Sequence, residues 1–214
     1  MTARPPWFPD WSGKPAVLVA SGPSASAVEL DRARGLAHVL AINESWRLAP
    51  WADAVYGADF RFWLAKAGLP DFAGLKITGE ERAARDWPDI HAIKLRRGFD
   101  RIVTDELGVV GWGGNSGFHA VNLAVQFGAR RLVLVGYDMH VEAGLHWHGP
   151  HPKGFNNPNP KSIERWRRML DAVALDLAGL GVGVINCSPS SALKAYARMP
   201  LDEALGLTVE AAPC

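Results

Sequence analysis

What most limits the folds open to this chain is an alternation of short, mostly apolar runs with helical stretches. Residues 16–20, 37–42, 54–56, 132–136 and 182–186 are such runs, and each closes on small or polar residues. They lack the in-out alternation of a sheet with one wet face, and strands apolar on both faces belong between two layers of helices. Shorter strands fit 76–78 and 91–95. Helical patterns fall between the runs at 25–34, 60–63, 80–85, 118–127 and 162–180, which is what parallel neighbours need as crossovers. The expectation is an α/β fold: a Rossmann-like open, mostly parallel sheet with helices on both faces. No repeat or linker divides the chain, so we expect an irregular arm over residues 1–14 and a single domain over 15–214.

In such a sheet, ligands bind beyond the carboxyl ends of the strands. The residues delivered there are therefore the informative ones. The first run ends in Ser21-Gly22-Pro23-Ser24, the second in Asn43-Glu44 and the third in Asp59. The run at 132–136 leads to Tyr137-Asp138, and the last to Ser188-Pro189-Ser190-Ser191, which reads as the cap of a final helix. Residues 108–117 hold five glycines and finish on Asn115-Ser116-Gly117 before a helix. Gly22 to Ser24 and Asn115 to Gly117 each place glycine and hydroxyls ahead of a helix N-terminus, where free amides and the helix dipole favour an anion. Neither is a Walker A loop or a GxGxxG turn, which argues against a P-loop kinase and an ordinary dehydrogenase. The plainer reading of either segment alone is a turn. Two on one sheet edge suit a nucleotide, with separate sugar and phosphate contacts.

Four of the seven histidines fall within residues 140–151, in a loop of about 140–160 that we take as a lid. His146, His148 and His151, with Asp138, have the residue types of a metal site, but His-x-His on a loop is a weak signal and no HExxH helix is present. The stronger reading of the lid is a general base beside a nucleotide, and we assign no metal. His38, His91 and His119 stand alone and read as structural. Arg165, Arg167 and Arg168 read as the solvated face of an amphipathic helix, and the nine tryptophans as core and lid packing.

Charge and cysteine content exclude other classes. With 23 basic and 22 acidic residues the formal charge is +1, so there is no global positive field for non-specific nucleic-acid binding. Two cysteines, Cys187 and Cys214, make no disulfide scaffold. No apolar run has the length to span a bilayer, and residues 1–15 lack a signal core. These features lead us to expect a cytoplasmic protein. Trp7, Phe8 and Trp11 in the arm have two open fates, a neighbouring subunit of a homo-oligomer or the arm's own domain.

The order of the motifs adds a resemblance. A strand before Gly22-Pro23-Ser24, a second ending at Asn43, a helix start at Asn115-Ser116-Gly117, a strand ending in Gly136-Tyr137-Asp138, a histidine loop and Cys187-x-Pro189-x-Ser191-x-Leu193 follow in turn. The set resembles the superfamily of bacterial lipooligosaccharide sialyltransferases and MptE-like 6-hydroxymethylpterin diphosphokinases, with its phage and prophage members. The resemblance implies that Gly22, Pro23, Ser24, Asn43, Asn115, Ser116 and Gly117 hold a nucleotide-sugar donor, a CMP-sugar or another NDP-sugar. It implies a lid base at His148 or His151 and no need of a metal. His146 would support the base and Asp138 would orient a ribose or acceptor hydroxyl. Asp59, and Asn115 where the sialyltransferases carry Thr, depart from that group. Asp59 lies nearer the diphosphokinase side, where ATP and Mg²⁺ would be held by Asp59 and Asp138. The leading expectation is a glycosyltransferase acting on an unidentified acceptor. The alternatives are a diphosphokinase and a non-catalytic nucleotide-binding phage accessory protein linked to DNA modification.

Overall fold

A computed structural model describes residues 4–152 and 157–207. Residues 1–3 of the arm, residues 153–156 of the loop, and Cys214 lie outside the described residues.

Eight strands form one parallel sheet: β1 (Ala16–Val19), β2 (His38–Ile42), β3 (Ala54–Gly57), β4 (Leu75–Thr78), β5 (Ile90–Ala92), β8 (Arg131–Val135), β9 (Gly183–Asn186) and β10 (Ala197–Arg198). Their order is β10-β9-β8-β1-β2-β3-β4-β5. This is a Rossmann-like α/β fold. Strand β1 is central, with Ala16–Val19 in register with His38–Ala41 on one side and Leu132–Val135 on the other. Its side chains alternate between two cores. Leu18, Leu40 and Leu134 point to one, and Val17, Val19, Val39 and Val133 to the other. This two-sided burial is why the central runs carry no polar alternation.

Helix α4 (Ser116–Gln126) lies on the first of these faces and is buried from Gly117 to Gln126. Its two polar residues in the last turns serve the backbone of the Gly-rich segment. Asn122 Oδ1 accepts from the Val103 and Gly111 amides at 2.8 and 3.0 Å. Gln126 Nε2 donates to the Val109 carbonyl at 2.7 Å. Buried backbone groups that no ladder reaches are satisfied in this way.

Four sequence expectations are corrected. The strand expected over 91–95 divides: Ile93 gives its amide to the Thr78 carbonyl as the last bond to β4, and Lys94 gives its own to the Gly108 carbonyl. The chain then leaves the sheet as β6 (Lys94–Arg96), which pairs with β7 (Val109–Gly111). The helix expected over 162–180 is two, α5 (Pro160–Ala172) and α6 (Ala174–Gly179), meeting at buried Val173. The helix expected over 25–34 shrinks to one turn, α1 (Ala27–Leu30), and a 3-10 turn (Asp31–Ala33), with the Ser24 hydroxyl turned to Asp138 instead of a cap. Ser188 and Ser191 cap no helix. Ser188 Oγ accepts from the Tyr137 amide and Ser191 Oγ donates to the Tyr137 carbonyl, at 2.8 and 2.6 Å. The final helix, α7 (Leu201–Ala204), begins after Pro200 instead.

The arm folds back on its own chain. Trp11 is 2% exposed, gives its amide to Phe127 and stacks on His38, while Trp7 stacks on His91.

Candidate functional site

The sheet runs from β1 to β5 in one direction and from β8 to β10 in the other, so its switch point lies between β1 and β8. Loops leaving the two strands there diverge and open a crevice at their carboxyl ends. A cavity of about 330 Å³ occupies it, within the range of about 300–1,000 Å³ usual for small-molecule sites.

Its floor is the two diverging loops. The Gly22 amide donates to the Gly136 carbonyl at 2.9 Å. A Cβ on Gly22 would stand 1.8 Å from Asp138 Oδ2 and 2.4 Å from the Gly136 oxygen, so no other residue fits. Asp138 is 2% exposed and accepts from the Ser24 and Ser190 hydroxyls at 2.9 and 3.3 Å. It therefore ties the turn after β1 to the segment after β9. Asn43, directly after β2, has φ +50°, and Met139, after Asp138, has φ +55°. Asn tolerates that conformation, whereas Met adopts it at a cost that the surroundings must hold in place.

One wall is the start of α4. Gly113 and Gly114, both at positive φ, bring the chain into it. Asn115 Oδ1 accepts from the Phe118 amide at 2.9 Å, so that oxygen is spent on a cap and the Ser116 and Gly117 amides remain as donors. Below them, Tyr137 Oη donates to the Gly117 carbonyl at 3.0 Å. His119 donates from Nε2 to the Trp112 carbonyl at 2.6 Å and accepts at Nδ1 from Tyr56 Oη at 2.9 Å. Burial pushes its pKa down to about 4, which keeps the ring neutral and structural.

The roof is the lid. Trp147 gives its amide to the Ser21 carbonyl at 3.0 Å and its indole N–H to Ser45 Oγ at 3.3 Å. His146 Nδ1 lies 2.9 Å from Ser21 Oγ. The His146 ring stacks on His148, with centroids 5.0 Å apart and planes 11° apart, and His151 completes the group 4.5 Å from His146. Burial, then the neighbouring His151 and His148, push the His146 pKa down to about 4. Burial also lowers His148 and His151, against Glu44, whose charge raises both.

The sequence-predicted residues gather here. Gly22, Asn43, Asp59, Asn115, Ser116, Gly117, Asp138, His146 and His151 border the cavity. Pro23, Ser24 and His148 are not among the residues that border it. Sequence reasoning missed Ile163 and Trp166 of α5, which close the cavity on the side of α4. It also misplaced Arg165, which leaves the solvated face to reach the Gly113 carbonyl and Asp100, at 3.3 and 2.9 Å. The apolar pair at i and i+3, Ile163 and Trp166, was the available signal.

Among solved structures, the chain is similar to the sialyltransferase CstII from Campylobacter jejuni in complex with cytidine-5′-monophosphate. The TM-score is 0.55 at 11% identity, over 94% of this chain and 88% of that one. The fold is shared. CstII with CMP-3FNeuAc gives 0.51 at 12% identity, over 87% and 86%, and a point variant of CstII with CMP gives 0.50 at 12%, over 86% and 85%. No family profile and no curated protein sequence matches the chain. Among the described residues, no helix is long and apolar enough to cross a membrane.

Proposed function

We propose that this protein is a glycosyltransferase using a nucleotide-sugar donor, of the kind that CstII represents, with a cytidine nucleotide as the favoured donor half. The observation that carries this reading is the switch-point cavity, bordered on one side by the Ser21–Gly22 turn and on the other by the first amides of α4. Those amides, with the positive end of the helix dipole, suit the donor phosphate, and Asn43 and Asp59 offer polar groups to a nucleoside. CstII, whose fold is shared across nearly the whole chain, binds CMP and CMP-3FNeuAc.

In this reading, His151 takes the proton of the acceptor hydroxyl as its oxygen bonds to the anomeric carbon. The bond from that carbon to phosphate breaks, and the leaving phosphate stays against Ser116 and Gly117. His146 shares the cavity wall, and His148 supports the pair by stacking. The diphosphokinase alternative asks Asp59 and Asp138 to ligate Mg²⁺ together. Asp138 is already engaged through both oxygens by hydroxyls at 2% exposure, which favours the metal-free transfer.

Calorimetry with CMP, UDP, ATP and GDP, each with and without Mg²⁺, tests the proposal. CMP should bind without Mg²⁺ and lose affinity in Gly117→Val. Binding of ATP alone, and only with Mg²⁺, would replace transfer of a sugar by transfer of diphosphate. Binding of none at millimolar concentration would remove the enzymatic reading.

A further inference from the structure

We propose that His146, His148 and His151 form a site for one divalent transition-metal ion of the zinc class. One ligand nitrogen from each ring lies within 4.8 Å of the other two, and among the described residues this is the one group of three or more His, Cys, Asp or Glu so gathered. Tetrahedral zinc, with Zn–N of about 2.0–2.1 Å, sets its nitrogens roughly 3.4 Å apart. The rings therefore need to close by about an ångström, which side-chain rotation on an irregular loop supplies.

Two further observations point to a ligand. His146 Nε2 and His148 Nε2 are both buried and have no hydrogen-bond partner. Buried polar atoms are normally satisfied, and two unpartnered ring nitrogens side by side suit a shared cation. The orientation is also prepared. His146 Nδ1 lies 2.9 Å from Ser21 Oγ, which can accept from it and so hold the ring with Nε2 as the metal-facing nitrogen. The backbone of His151 is clasped from both sides by Asn157, at 2.8 Å through its amide and 3.3 Å through its carbonyl. Glu44 lies near enough to act on His148 and His151, with its charge shared with Lys66 and Arg47, so the cation is held by the three nitrogens.

Three imidazoles select zinc, cobalt, nickel or copper over magnesium and calcium, which prefer oxygen. His146 and His151 lie on the cavity wall, so the fourth position opens into the cleft and takes a water or a ligand oxygen. The site itself does not rest on the transfer reading. With the ion bound, His151 would be held as a ligand, and a water on the ion, with pKa brought towards about 7, would be the group available to take the proton; without it His151 keeps that role.

The test uses the full chain without an affinity tag, stripped with chelator. Zn²⁺ is titrated against a chromophoric chelator, and Co²⁺ is followed by its visible absorption. We expect one equivalent per chain, the intense bands of four-coordinate Co²⁺, and no competition from excess Mg²⁺. His146→Ala and His148→Ala should each weaken Zn²⁺ by more than about 100-fold, and His140→Ala should not. Melting temperatures in chelator should be alike for wild type and variants, with only wild type and His140→Ala rising on adding Zn²⁺. No uptake by wild type, or equal uptake by His146→Ala and His148→Ala, overturns the site. Zn²⁺ is read without nucleotide and CMP is read in chelator, so the two proposals fail separately.

Discussion

The cleft's floor and its lid bring polar side chains to the same cavity by different means. On the floor, Gly22, Gly136 and Asp138 leave adjacent parallel strands, and their positions follow from the ladder: the Ala20 and Gly22 amides continue the β1–β8 pairing onto the Val135 and Gly136 carbonyls. The lid has no helix or strand between residues 140 and 152. It hangs from Ser21 and Ser45, with Arg47 over the Trp147 ring and Asn157 on the His151 backbone, and its histidine rings contact one another. Floor groups are thus placed by folding, whether or not a ligand arrives. The lid's arrangement is local, and anything its rings grip can reorganise it. Substitutions in the two regions should therefore divide cleanly between stability and chemistry.

The largest expected effect is in the lid. His151→Ala should lower turnover by about 10²–10⁴-fold, while its melting temperature in chelator and its CMP affinity stay at wild-type values. A matching drop in CMP affinity would make the lid part of the nucleotide floor and break the comparison. On the floor, Asp138→Ala removes a buried carboxylate that accepts two half-buried hydroxyl bonds and should cost about 3 kcal/mol. That is roughly 6–12 °C in Tm for a chain of this size. A shift under about 2 °C by calorimetry would mean that the turn after β1 holds its shape without the carboxylate.

Sequence showed the floor better than the lid for the same reason. Strands β1, β2 and β8 are buried on both faces, so their apolar runs announce them, and whatever ends them must sit at the sheet edge. Strand β7 stayed hidden because Val109–Gly111 lies in a Gly-rich stretch and is a strand only through its pairing with Lys94–Arg96. Ser188 and Ser191 look like caps because a serine hydroxyl serves a helix end and a distant backbone equally well. Their true partner, Tyr137, is set by tertiary contact. Arg165 and Trp166 obeyed the amphipathic pattern, and only the crevice beside α5 turns part of that face into a wall. The histidine cluster was visible as a count, but the direction in which each ring faces depends on how the loop hangs.

The floor also carries its own pH response, through the ring beneath the Gly-rich turn. His119 has a folded pKa of about 4, below the usual value near 6.5. Between those values the unfolded chain binds the proton and the folded one does not, so stability rises with pH across that window. It is complete above about pH 6.5 and is lost as the pH falls to about 4, by about 3 kcal/mol. Urea unfolding from pH 7.5 to 4 should show this slope together with the part that the lowered His146 adds, and His119→Gln should remove the His119 part. An unchanged slope in that variant would assign the acid sensitivity elsewhere and free the Gly-rich wall from it.

The smallest effect should come from Ser21, the one residue that belongs to both regions. Its backbone follows β1 and holds the Trp147 amide, while its hydroxyl meets His146 Nδ1. Ser21→Ala deletes only the hydroxyl, at a cost in stability of about 1 kcal/mol or less, because the bond is half-buried and neutral. The lid should feel it more. Without that partner the imidazole loses the contact that holds its orientation, and Zn²⁺ affinity should fall about tenfold, the lower end of the usual cost of losing a group that orients a ligand. CMP affinity in chelator should stay unchanged, since the α4 amides are untouched. If instead CMP weakens and Zn²⁺ does not, the hydroxyl works for the floor, and the boundary between the two regions runs through His146 and not through Ser21.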